Sequence, residues 1–415
     1  MTNDSLLLAQ PFTLKSGMII KNRLIKAALS EALGNAEGGP SPALIKLYRT
    51  WAQSDIGVLI TGNVMIDRDA LGEPGNVIIE DERHLVFLKE WATMAKSSGS
   101  QVWMQINHPG KQALRGLNKE TVSPSAVPFS PKMQALFATP RELTHVEIED
   151  IIQRFATTAA IAQKAGFSGI QLHGAHGYLI SQFLSPHHNR RNDQWGGNPE
   201  NRRRFVLEIY KSVRAKVGAA FPIAIKLNSA DFQRGGFTEE ESLATIQALD
   251  EAGIDLIEIS GGTYEKPVMM QSSHTKVSTA SREAYFLDFA KKVRQLSTVP
   301  LMVTGGFRSL NGIESALKAG DLDFAGLGRI FAIEPLAAKR LINGLETQNQ
   351  VKPLTTGIKF IDDLGSLEVT WYTRQMHRIG HGIKPIPDEH GLKSFLLDIK
   401  DKGLGILKNR QLRAS

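Results

Sequence analysis

The sequence predicts an α/β protein built as a (β/α)8 TIM barrel with a C-terminal helical extension. Eight short, β-branched apolar runs each precede a segment of helical period, the pattern of a parallel sheet with crossover helices. Polar or glycine residues also stand at the C-terminal end of every one of these runs, where barrels carry their chemistry. An open doubly wound sheet is the alternative. Its dinucleotide fingerprint is missing, because Gly326-x-Gly328-x-x-Phe331 lacks the third glycine and its neighbourhood lacks a ribose-binding acid.

In chain order the expected strands lie at 23–29, 57–61, 102–106, 169–173, 223–227, 256–259, 301–304 and 324–327. Helical patterns fill the gaps at 41–53, 85–96, 144–165, 199–217, 238–252, 282–296, 310–319 and 335–341. Thr238 before Glu239–Glu241 and Asn198 before Pro199 are helix starts; Gly166 and Gly253 are helix stops. The longest strand-to-helix loops, 108–141 and 174–198, are expected to cover a site. A polar linker at 342–353 separates a barrel unit, 1–345, from an extension, 346–415, that is helical over 358–382 and ends in a basic tail from Lys402.

Composition narrows the function classes. The 415 residues are 42% hydrophobic and 22% charged, which is globular, and the net charge of +7 is too modest and dispersed to argue for nucleic acid. Cysteine is absent, so disulfides, thiolate nucleophiles, iron–sulfur clusters and cysteine zinc sites are excluded together. The start MTNDSLLLAQ lacks the marks of a signal peptide, and the longest apolar stretch, 57–66, is too short to span a bilayer. A soluble, cytoplasmic protein acting on a small molecule is expected, with no membrane partner; homo-oligomerisation is left open.

The strand ends present Ser30, Gly62-Asn63, Gln105, Asn107-His108, His173, His176, Tyr178, Lys226-Asn228, Ser260-Gly261-Gly262, Gly305-Gly306-Phe307 and Gly328-Arg329. His173-x-x-His176-x-Tyr178 places two donors and an acidic hydroxyl at one strand end, a layout for gripping and protonating something small. The two histidines, with His187 and His188 nearby, also admit a metal, but no carboxylate or cysteine stands at the other strand ends to complete a shell. Gly305, Gly306, Gly328 and Arg329 form a phosphate candidate, since glycines let backbone N–H groups approach an anion and arginine adds charge-assisted bonds. Lys226, inside the apolar strand IAIKL, is costly to bury unless paired or functional. The Gln105 amide, able to donate and accept, suits a heterocycle edge.

These residues carry a likeness. NRLIKAALSEAL from Asn22, GVLITGNV from Gly57, WMQINHPGKQ from Trp103, HGAHGYLISQFLSP with NDQWGGNPENRRRF, IKLNSADF, VTGGF and GLGR resemble the old yellow enzyme family, with a weaker echo at Arg378-Ile379-Gly380. These are FMN-dependent NAD(P)H:flavin oxidoreductases, or ene-reductases, on a (β/α)8 barrel. The resemblance implies that Ala28, Leu29 and Ser30 line the flavin and that Gly62 and Gln105 meet its pyrimidine edge. It implies Lys226 where reduced flavin is anionic, and Gly305, Gly306, Gly328 and Arg329 at the phosphate. His173 and His176 would bind the carbonyl oxygen of an unsaturated substrate, and Tyr178 would donate the proton. The implied reaction takes hydride from NADH or NADPH through flavin N5 to an activated C=C bond.

The sequence departs from the family at Ala28-Leu29, where Pro-Met is usual, at Ser30, where threonine or cysteine is common, and at Lys226, where arginine is frequent. Tyr264, after the sixth strand, is a candidate for substrate selection. A cofactor-free phosphate-sugar isomerase or aldolase, with Lys226 as base or Schiff-base amine, is the competing function.

Overall fold

The computed structural model describes residues 6–400 except 132, 263–277, 306, 308, 351–353, 359–361, 363–366 and 398–399, and for 278–284 the backbone. Eight parallel strands close on themselves: β1 (Leu24–Lys26), β2 (Val58–Ile60), β3 (Gln101–Asn107), β4 (Gly169–Gly174), β5 (Ile223–Asn228), β6 (Leu256–Ser260), β7 (Leu301–Thr304) and β8 (Phe324–Leu327). Closure comes from β8 pairing β1, with Ala325 opposite Leu24. This is the (β/α)8 architecture that the alternating pattern predicts.

Helices α1 (Pro42–Ala52), α2 (Leu85–Ala95), α3 (His145–Lys164), α4 (Pro199–Val217), α5 (Glu239–Ala252), α6 (Ser278–Arg294) and α7 (Leu310–Lys318) follow the first seven strands. After β8 come a short helix, Ile330–Ile333, and α8 (Ala337–Ile342). Local chemistry sets their ends. At α5 the Thr238 hydroxyl accepts from the Glu241 N–H while the Glu241 carboxylate accepts from the Thr238 N–H, and Gly253 stops the helix at φ +92°. The Asn198 side chain caps α4, accepting from the Asn201 N–H at 2.8 Å, with Pro199 in the first turn.

Side chains alternate along each strand, so every second residue enters the barrel. Its lower interior is apolar: Ile25, Val58, Ile60, Trp103, Ala224, Leu256, Met302 and Phe324 form one buried cluster. Leu14 and Ile20, from the antiparallel ribbon Phe12–Thr13 with Ile19–Ile20, join that cluster and stop the bottom. One step up the strands the inward positions become polar, with Gln105, Gln171, Lys226, Glu258 and Thr304 all buried. Burying five polar side chains in one layer costs free energy unless each is paired, so the top of the barrel is built for something other than stability.

Two further features shape the site, the first outside the expected elements and the second within the expected helical stretch 358–382. The loop after β4 contains a fully buried turn of helix, Leu179–Leu184, which holds the chain against the strand ends. Helix α9 (Leu367–Gly380) returns from the C-terminal region to pack on α1 and on Ile330–Ile333. Among the described residues no helix is long and apolar enough to cross a membrane.

Candidate active site

A cleft of about 190 Å3, open to solvent, lies at the carboxyl ends of the strands and is lined by Ala28, Leu29, Ser30, Gln105, His173, His176, Tyr178, Lys226 and Arg329. Residues up to three hundred positions apart thus share one wall. The outgoing turn of β4 does most of the gathering. His173 is the last residue but one of the strand, and His176 stands at φ +61°, a left-handed conformation that non-glycine residues adopt rarely. Its N–H donates to Asn228 Oδ1 at 3.2 Å, and its Nε2 lies 2.7 Å from Ser260 Oγ. The His173 ring meets His176 edge-on at 5.2 Å and Tyr178 at 4.7 Å between centroids. Asn63 Nδ2 donates to Tyr178 Oη at 3.3 Å.

Electrostatics lower both histidines. Burial, followed by the neighbouring His176 and the Lys226 ammonium, pushes His173 well below the usual imidazole range. Burial and then Lys226 hold His176 down to about 3. Both rings are therefore neutral near pH 7. His173 Nδ1 accepts from the Ala175 N–H at 3.3 Å, so its ring proton sits on Nε2.

The cationic end of the cleft is Lys226, paired at 2.9 Å with Glu258 on the adjacent strand; both are buried. The Ser30 hydroxyl, on the opposite wall, donates to the Glu73 carboxylate. Gly62 lies one layer back. Its N–H donates to Glu31 Oε1 at 3.0 Å, and a Cβ there would collide with the Glu31 carboxylate and the Leu29 carbonyl. That carboxylate also accepts from Tyr48 Oη at 2.5 Å and pairs with the buried Lys26 at 3.3 Å, a knot that fixes the chain beneath Ala28–Ser30.

Of the phosphate candidates, Gly305 stands at φ +98°, and Arg329 reaches the cleft, where its Nη1 meets Glu368 Oε2 at 2.5 Å. Gly328 sits against Leu29, with room for a Cβ. Gly306 and Tyr264 lie outside the described residues.

The sequence reading missed several lining residues. Asn63 was visible as a strand end, but Glu73 gave no signal of its own. Glu368, Val369, Tyr372, Thr373 and Met376 all come from α9, whose destination no periodicity reveals. Glu258 could have been found: a carboxylate inside the apolar run LIEIS is as anomalous as the lysine in IAIKL.

Fold and cleft together define a barrel enzyme with its chemistry at the strand carboxyl ends. The chain matches the NADH:flavin oxidoreductase / NADH oxidase family over residues 7–348 and belongs to it; the cofactor of that family is FMN. It is 38% identical over 359 residues to the NADH-dependent flavin oxidoreductase iccE of Talaromyces variabilis, covering 81% of this chain and 86% of that one. To the NADH-dependent flavin oxidoreductase iliE of Neonectria sp. (strain DH2) it is 35% identical over 391 residues, covering 88% of this chain but only 50% of that relative. The old yellow enzyme homologue from Zymomonas mobilis shares the fold with a TM-score of 0.70 at 21% identity, covering 83% of this chain and 94% of that one. The donor set fits FMN: apolar Ala28 and Leu29 line the cleft together with the Gln105 amide, the Lys226 side chain and the Arg329 guanidinium.

Proposed function

We propose that this protein reduces the activated C=C bond of an α,β-unsaturated carbonyl compound, or a related electrophile, with NADH as reductant. The observation that carries this reading is the grouping of two neutral histidines and a tyrosine at one end of a cleft whose other wall suits a planar ring. Bound FMN supplies the hydride chemistry. In this reading Ala28, Leu29, Ser30, Gln105 and Lys226 hold the ring, and Gly305, Gly306, Gly328 and Arg329 hold the phosphate. Gly62 contributes a bare backbone that lets Glu31 and Leu29 close behind the ring.

The chain's own residues then do three things. His173 and His176 donate to the substrate carbonyl oxygen, where negative charge grows; fixed donors act most strongly on charge that develops in the transition state. Tyr178 holds the proton for the α-carbon, with Asn63 Nδ2 steadying its oxygen. Glu368, Val369 and Tyr372 of α9 form part of the cleft wall. The competing aldolase chemistry needs a Lys226 nitrogen free to attack a carbonyl carbon, whereas that nitrogen is held at 2.9 Å by the Glu258 carboxylate.

The test separates the two half-reactions anaerobically. Tyr178→Phe is expected to slow enone reduction by about 10²–10⁴-fold while leaving flavin reduction by NADH within about twofold. Equal loss in both halves removes Tyr178 from the proton-donor role. A reduced wild-type enzyme that is not reoxidised by any cyclic or linear enone overturns the proposed substrate class.

A further inference from the structure

Beneath the cleft runs a chain of buried polar contacts that the reaction scheme does not use. Lys226 and Glu258 face each other in register across β5 and β6, and Gln105 and Gln171 do the same across β3 and β4. Glu258 Oε1 takes the Lys226 ammonium at 2.9 Å and the Thr304 hydroxyl at 2.6 Å; Oε2 accepts from Gln171 Nε2 at 2.7 Å. Gln171 Oε1 in turn accepts from Gln105 Nε2 at 2.8 Å. Glu258 and Gln171 are fully buried, so water cannot substitute for any partner.

Direction in this chain is not free. A carboxylate only accepts, so the Gln171 group facing Glu258 must be its NH2; a flip would set oxygen against oxygen at 2.7 Å. That leaves Gln171 Oε1 for Gln105, which must answer with its own NH2. The Gln105 carbonyl oxygen is then left over, at a residue that lines the same cleft as Lys226. An acceptor and a cation lining one cleft complement a ring edge that carries an N–H and a carbonyl oxygen.

We propose that Glu258 is a positioning residue that sets the hydrogen-bond polarity of the cleft floor, turning Gln105 through Gln171 so that the site selects an imide edge, and offsetting the charge Lys226 presents there. The proposal rests on the flavin reading and names what makes the pocket choose the flavin's imide edge. It also separates two effects of one carboxylate. The Gln171 arm controls orientation, and the Lys226 arm controls the field at the ring.

The test uses the full-length protein, stripped of flavin and reloaded, with FMN and FMN methylated at the imide nitrogen as probes. Glu258→Gln leaves the Lys226 charge uncompensated, so reduced FMN should gain about tenfold over oxidised FMN, a rise of about 30 mV for a two-electron couple. Gln171→Met keeps the ion pair and cuts the relay. Its potential should stay put, while its preference for FMN over the methylated form shrinks about tenfold. An unchanged or lowered potential in Glu258→Gln, or an undiminished preference in Gln171→Met, overturns the proposal. If Glu258→Gln cannot retain flavin, the preference measured on Gln171→Met decides alone. A wild-type protein that takes up no FMN overturns the flavin reading, and this inference with it.

Discussion

His176 at φ +61° holds a conformation that costs a non-glycine residue about 1–3 kcal/mol. The cost is met locally, by the Asn228 side chain on its N–H and by Ser260 on its ring, and both of these end their strands. Asparagine tolerates the left-handed region and can still donate, whereas leucine does neither. His176→Asn should therefore bind phenol-type ligands within about tenfold of wild type, and His176→Leu should lose about 1–3 kcal/mol of that binding, the worth of a hydrogen bond to a charged oxygen. Titration calorimetry on the flavin-loaded protein reads both; equal affinities in the two variants would remove the donor role. The His-x-x-His-x-Tyr spacing was legible because strand ends are legible. The partners that set its chemistry were not. Lys226 stood out as a charge in an apolar strand, but that Glu258 faces it in register depends on how two strands align, which no local pattern encodes.

At the scale of elements, the eight strands were readable because buried parallel strands are near-continuous apolar runs, and the helices because caps and glycines mark their ends. Boundaries moved by a few residues at most sites, as at β1, where 23–29 shortens to Leu24–Lys26. Helix α9 is the instructive case. Its period was visible, but its place was not, because an apolar stripe shows that a helix packs and not where. Here it is drawn onto the first strand's loop: Thr373 Oγ1 donates to the Ser30 carbonyl and His377 Nε2 to the Glu31 carbonyl, each at 2.7 Å. Gly380 lets it approach α1 closely, since a Cβ there would sit 2.7 Å from the Ala43 carbonyl. Trp371 anchors the same helix, buried and donating to the Glu389 carbonyl at 2.9 Å. Trp371→Ala should cost about 3–5 kcal/mol in denaturant unfolding if α9 unfolds with the barrel. It should also release FMN faster on dialysis. A variant that loses neither stability nor flavin would show that α9 is an appendage.

Across the molecule, four histidines among the described residues are held neutral inside the fold. Burial is the leading cause at each: it lowers His108 and His176 to about 3 and His173 and His188 well below the imidazole range. In the unfolded chain each takes up a proton near pH 6.5. Below that value the unfolded state therefore binds more protons than the native one, so stability is full above about pH 6.5 and declines as pH falls toward the folded values. Each histidine contributes a slope of about 1.4 kcal/mol per pH unit, and four acting together approach about 5 kcal/mol per unit. Asp231, pushed up by burial, opposes this above the ordinary aspartate range, but it is one group against four. A native state with the usual margin of about 5–15 kcal/mol would be exhausted within about one to three units below pH 6.5. The expected behaviour is a steep acid transition, with the denaturant midpoint level from pH 8 to 7 and falling sharply by pH 5. His108→Asn offers a way to apportion it: an asparagine oxygen can take the Gly110 N–H that His108 Nδ1 accepts at 3.0 Å, without titrating. That variant should lose one histidine's share of the slope, about 1.4 kcal/mol per pH unit. A denaturant midpoint that stays level from pH 7 to 4 would mean that the rings protonate without leaving their sites.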